Sequence, residues 1–181
     1  MTDPGAFSMT DYTVDTLEKE TDIGEFTALC LDTEKCRFAC AECPAYGSNY
    51  SCPPFSFKTE DYLRPFGRVK LIMRVFQFSD IKKEKAFKIL EEERKSFFAS
   101  LSEREKQGIT AADAGPCNLC PRCAREKGEE CRAPGKTRYS LEALGFDLEK
   151  AAEIYFGIPL KWAKDRLPDY MVQIFALFIP R

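Results

Sequence analysis

The sequence predicts an α+β domain, a small mixed sheet with helices and two cysteine-rich loops. Three observations carry this expectation. Segments 68–78 and 170–179 are dense in β-branched and aromatic residues, the composition of strands. Segments around 80–106 and 148–156 place apolar residues at helical spacing. Eight of the nine cysteines fall into two tight groups in turn-rich stretches.

Taken in order, residues 1–20 are polar and read as a loosely ordered N-terminal segment; 21–181 read as a single α+β domain. "EFTALCLD" (25–32) alternates Phe26, Ala28 and Cys30 with Thr27 and Leu29, the period of a strand. "KTEDYLRPFG" (58–67) predicts a short helix stopped near Pro65 and Gly67. In "RVKLIMRVFQF" (68–78), Val69, Leu71, Met73 and Val75 form one apolar face of a strand. Ser79 or Asp80 can cap a helix to about Lys106, whose apolar side holds Ala86, Phe87, Leu90, Phe97, Phe98 and Leu101. Ser140 caps "LEAL", ended by Gly145, and Asp147 caps "LEKAAEIYF", stopped by Gly157. "YMVQIFALFI" (170–179) is apolar on both faces except at Gln173, which predicts a central strand.

Composition excludes several function classes. The chain has 181 residues, a formal charge of −2 and no histidine. A near-neutral charge gives no general attraction to nucleic acid or an anionic membrane. The longest apolar run, 171–180, is half the length a membrane helix needs, and the N-terminus lacks a signal-peptide pattern. A cytoplasmic location is therefore expected. Without histidine, the usual general base and the Ser/His and Cys/His pairs are missing, and no dinucleotide or Walker A loop is present. An odd cysteine count in a reducing compartment argues against a disulfide framework and for metal.

The first group is Cys36-x3-Cys40-x2-Cys43-x8-Cys52; the second is Cys117-x2-Cys120-x2-Cys123-x7-Cys131. Thiolates select zinc, Cu(I) or iron–sulfur clusters. A zinc ribbon uses two separated CxxC knuckles. Here a third cysteine follows the second after only two residues in both groups, and such a triplet suits three irons of a cuboidal cluster. The expectation is two [4Fe–4S] clusters, with Zn²⁺ as the alternative. The spacing of Cys36, Cys40 and Cys43 also matches radical-SAM enzymes. The chain lacks their alternating βα pattern, Glu42 stands where they carry an aromatic residue, and Cys52 can close the fourth iron.

Tyr46, Tyr50 and Phe55 flank the first group and can either shield a cluster or pack as ordinary core. Six cations between Arg122 and Arg138 surround the second. They are read either as compensation for an anionic site or docking of an acidic partner, or as a solvated loop. Cys30 is expected to be a buried apolar residue rather than a nucleophile.

Together "CAECPAYGSNYSCPP", "GPCNLCPRC", "CRAPGKTRYSLEALGFDL" and the closing apolar strand resemble a bacterial and archaeal family of unknown function labelled predicted metal-binding protein, over about 25–180. The resemblance implies metal binding through these cysteines, most naturally as iron–sulfur in anaerobic settings, and implies no reaction. The leading expectation is an iron–sulfur protein that passes electrons to a redox partner protein. The rivals are a zinc-stapled, non-catalytic interaction module and an enzyme with an open-iron cluster.

Overall fold

The computed structural model describes residues 11–181. Its elements are β1 (Tyr12–Asp22), α1 (Ile23–Cys30), α2 (Thr33–Ala41), α3 (Thr59–Leu63), β2 (Phe66–Phe78), α4 (Lys83–Ser102), β3 (Thr110–Ala112), α5 (Leu148–Phe156) and β4 (Met171–Pro180). The strands form one sheet in the order β1-β2-β4-β3. Every pairing between them is antiparallel, so the α+β class is as expected while the sheet is not mixed.

β4 lies between β2 and β3, as its two apolar faces predict. Alternate residues feed two cores. Val69, Leu71, Met73, Val75, Ile174, Ala176 and Phe178 face a core shared with Phe26 of α1 and Ala151 and Ala152 of α5. Ile72, Phe175 and Leu177 face a second core with Leu101 of α4. The sheet is thus sandwiched between α1 and α5 on one side and α4 on the other. Arg74, on the α4 face, is buried. Its guanidinium bonds Glu93 at 2.7 Å and lies 4.6 Å from the Phe97 ring.

Three expectations change. Residues 12–20, read as loosely held, belong to β1, which pairs with β2 from Tyr12↔Phe78 to Asp22↔Arg68; residues 1–10 of that segment lie outside the described residues. The strand expected at 25–32 is helix α1 instead. Asp22 caps it, accepting from the Gly24 and Glu25 N–H groups, and the buried residues Ile23, Phe26 and Cys30 follow a helical interval. Helix α4 starts at Lys83 without a side-chain cap, rather than after Ser79 or Asp80. Asp147 caps α5 as expected, and Gly157 ends it in the left-handed conformation. Among the described residues no helix is long and apolar enough to cross a membrane.

The turn 140–147 positions the first cysteine group. Ser140 Oγ accepts from the Ala143 N–H, so the expected cap forms, but it closes a turn rather than a helix. Gly145 has φ of +96°, and a Cβ there would stand 2.7 Å from Thr33 Cγ2 at the start of α2. Its carbonyl accepts from the Asp32 N–H at 2.8 Å, while the Asp147 N–H donates to Cys30 O at 2.8 Å. Lys35 of α2 then bonds both Asp147 and Glu149, each at 2.8 Å. The start of α2 is therefore clamped to the turn that precedes α5.

Candidate metal centre

The first cysteine group begins on a helix, not in a loop. Cys36 and Cys40 sit one turn apart on α2, so both project toward the same side. They line an open pocket with Tyr46, Pro53, Phe55 and Glu142. Cys36 is buried and Cys43 exposed. Cys40 lies close enough to Cys43 and Cys52 for their charges to act on it, and Cys36 close enough to Cys40. Cys43 and Cys52 do not line the pocket that Cys36 and Cys40 share. Burial pushes the Cys36 thiol up to about 12 and the Cys40 thiol up to about 11. Burial also raises Cys52, against a hydrogen bond from Ser51.

The second group converges. Cys117, Cys120, Cys123 and Cys131 all line one cavity, together with Tyr50 and Thr137. Three come from the 117–123 stretch. Cys131 returns after a short 3₁₀ turn, Ala124–Lys127, closed by Gly128 in the left-handed conformation. Cys131 Sγ lies 3.5 Å from Thr137 Oγ1. Cys117 is raised by burial, opposed by backbone hydrogen bonds. Among the described residues, no group of three or more Cys, Asp or Glu side chains is arranged to hold a metal ion.

The two groups share a frame. The Asn49 side-chain amide donates to Cys117 O at 2.8 Å, and the Cys117 N–H donates to Ser51 Oγ at 2.7 Å. The Tyr50 N–H points at Cys123 Sγ, 3.5 Å away, and its hydroxyl donates to Glu129 O at 2.7 Å. Arg125 donates to the carbonyls of Asn49, Cys52 and Pro54 at 2.9, 2.7 and 2.9 Å. The 49–54 loop, which carries Cys52, is thereby fastened over the 117–131 loop, which carries the second group. Cys52 and Cys123 are near enough for their charges to interact.

A buried ion pair sets the entry of the second loop. Arg94 Nη1 donates to Asp113 Oδ2 at 2.6 Å and to Pro116 O at 3.2 Å, with both side chains almost wholly buried. Gly115 packs flat against that guanidinium; a Cβ there would meet it at 3.3 Å. At the other end, Arg138 pairs with Glu105, whose carboxylate also accepts from the Ala111 N–H of β3 at 3.0 Å. The loop is pinned at both ends to the sheet and α4.

Several surrounding residues differ from their expected roles. Tyr50 serves the second cavity rather than the first, whereas Tyr46 and Phe55 stay with the first. Phe55 stacks on Phe57 at 4.8 Å. Of the six cations, Arg125 is a loop fastener, Arg138 is an ion-pair partner, and Arg132 pairs with Glu129 at 3.4 Å. Cys30 is fully buried, with its thiol pushed up to about 11 by burial, and is not part of either group. The contributions of Asn49, Ser51 and Arg94 have no signal in the sequence: Asn49 and Ser51 act across more than sixty residues, and Arg94 acts through Asp113, 19 residues away and outside its own helix.

Residues 28–179 match the family described as Predicted metal-binding protein (DUF2284), and the chain belongs to it. No curated protein and no solved structure matches the chain.

Proposed function

We propose that this member of the predicted metal-binding family carries two [4Fe–4S] clusters and passes electrons to a redox partner protein in the cytoplasm. The observation that carries the reading is the second cavity: four thiols from one short loop line it, with a backbone N–H directed at Cys123 Sγ. Thiol-only donors select zinc or iron–sulfur, and tight CxxCxxC spacing favours a body larger than a single ion.

Thiol sulfur is the donor such a group takes, although among the described residues the side chains are not arranged around a metal position. Cys117, Cys120, Cys123 and Cys131 would hold one cluster, and Cys36, Cys40, Cys43 and Cys52 the other. When bound, a cluster of this kind supplies one-electron redox chemistry. The protein's own residues do the rest. Tyr50 shields one wall of the second cavity and offers its N–H to sulfur, which tunes potential. Arg125 places positive charge beside Cys52 while fastening the two loops together. The thiols pushed up by burial at the first site must release protons on ligation, so loading there falls as the pH is lowered.

Protein prepared without oxygen should show a broad absorbance near about 400 nm that dithionite bleaches and a redox mediator restores. Colourless protein that keeps its metal in air and is indifferent to dithionite would instead identify the zinc-stapled module.

A further inference from the structure

The stretch Asn49–Cys52 belongs to both cysteine groups at once. Its last residue, Cys52, is near enough to Cys40 and Cys43 for their charges to interact. The three residues before it all bond the second group. The Asn49 amide donates to Cys117 O at 2.8 Å, and the Tyr50 N–H points at Cys123 Sγ, 3.5 Å away. Ser51 Oγ accepts from the Cys117 N–H at 2.7 Å. Both backbone polar groups of Cys117 are therefore held by the loop that ends in Cys52.

Ser51 stands where the two groups meet, and it is buried. Its hydroxyl lies 3.0 Å from Asn49 Oδ1, which also accepts from the Ser51 N–H at 3.0 Å. Cys52 Sγ is 3.9 Å from the same hydroxyl oxygen. One buried oxygen thus touches a thiol of the first group and the backbone of the second. Leaving a buried N–H without its acceptor is costly, so Cys117 follows Ser51 when the 49–52 loop shifts.

We propose that Ser51 couples the two cysteine groups, so that metal held by either one strengthens the hold of the other. The inference rests on the metal-binding reading of both groups and not on which metal they take. Metal at the first group holds Cys52, and with it the three residues that position Cys117 and Cys123. The cost of ordering that stretch then falls on the first metal bound, and the second meets a prepared site. Linkage makes the effect equal in both directions. Ser51 acts here as a positioning residue, not as a ligand.

The probe is Co²⁺, added to the metal-free full chain without oxygen and followed by its thiolate absorbance against a competing chelator. Cobalt needs no sulfide, so zinc in place of iron–sulfur would leave this inference standing. Cys40→Ser/Cys43→Ser and Cys120→Ser/Cys131→Ser each leave one group intact and change no residue bonded to Ser51. The product of the parent's two stepwise constants, divided by the product of the two single-group constants, is the coupling factor. A factor of about tenfold or more is expected. Ser51→Ala, placed in all three backgrounds, should cut it severalfold, and Ser51→Thr, which keeps the hydroxyl, should restore it. A purely local support would lower the second group's affinity equally whether the first is filled or empty, and that result would overturn the proposal. A parent factor near one, or uptake of a single cobalt per chain, would overturn it as well. If either cysteine pair fails to fold when replaced, the parent's own steps decide. The second step, relative to the first, should be tighter in the parent and Ser51→Thr than in Ser51→Ala, and equal ratios in all three would overturn the coupling.

Discussion

Single residues fix the geometry of the first cysteine group, and Gly145 is the most demanding of them. Its φ of +96° is unfavourable for any residue with a Cβ, and that Cβ would stand 2.7 Å from Thr33 Cγ2. We expect Gly145→Ala to cost about 2 kcal/mol or more in urea denaturation, the left-handed penalty plus the displacement of α2. A midpoint within error of the parent would contradict the clamp. Asp147 makes a pH-dependent contribution. Burial acts to raise its carboxyl, but the Lys35 ammonium and the N–H groups at the start of α5 outweigh burial and hold it below the ordinary value. A depressed carboxyl contributes stability that is present above the unfolded value, about 3.9, and is lost as pH falls through the folded value. Asp147→Ala should therefore lose about 1–2 kcal/mol at neutral pH, as for a lost helix cap, and the difference from the parent should shrink below about pH 4. Equal differences at pH 7 and 3 would remove Asp147 from the account. Local signals of this kind were legible: the cap at Asp147 and the glycine stop at Gly157 were both read from the sequence, because capping depends only on neighbours in the chain. The partners of Lys35, more than a hundred residues away, were not.

At the scale of elements, legibility followed burial on two faces. β2, β4 and α5 were all evident, since long apolar runs or strong periodicity admit one reading. β1 was not. It is an edge strand whose outward residues are mostly exposed and charged, with Glu18 bonding Lys70 at 3.2 Å and Glu20 pairing with Arg68. Charge on an edge protects it from pairing with another chain and also erases the strand signal. α1 was misread because alternation over five residues also fits a helix. The decisive residue was Ile23, outside the window, whose spacing to Phe26 and Cys30 is helical. The loops show the same limit. The cysteine spacing identified both candidate sites, but their interlocking depends on Asn49, Ser51 and Arg125, which reach across the fold. Arg125→Met should leave helix content unchanged while metal is lost to a chelator about tenfold faster, because three loop-fastening hydrogen bonds are gone. Unchanged release kinetics would show that the loops hold their positions without it.

At the scale of the molecule, a sheet sandwiched between α1 and α5 on one face and α4 on the other carries two cysteine groups whose loops are fastened together through Asn49, Ser51 and Arg125. Ion pairs tie the sites to that scaffold: Lys35 with Asp147 for the first, Arg94 with Asp113 and Arg138 with Glu105 for the second. Of these, Arg94–Asp113 is buried at both partners, and such a pair is costly to break and sets position more than it adds stability. The pairing of the two groups was visible in the sequence as two similar spacings, whereas their adjacency came only from the fold. The central claim is that each group holds its own four-iron cluster. Iron, zinc and acid-labile sulfide should be determined on protein purified without oxygen, alongside Cys117→Ser/Cys120→Ser. The account predicts about eight irons and eight sulfides per chain, four of each in the variant, and negligible zinc. Stoichiometric zinc without labile sulfide would contradict it.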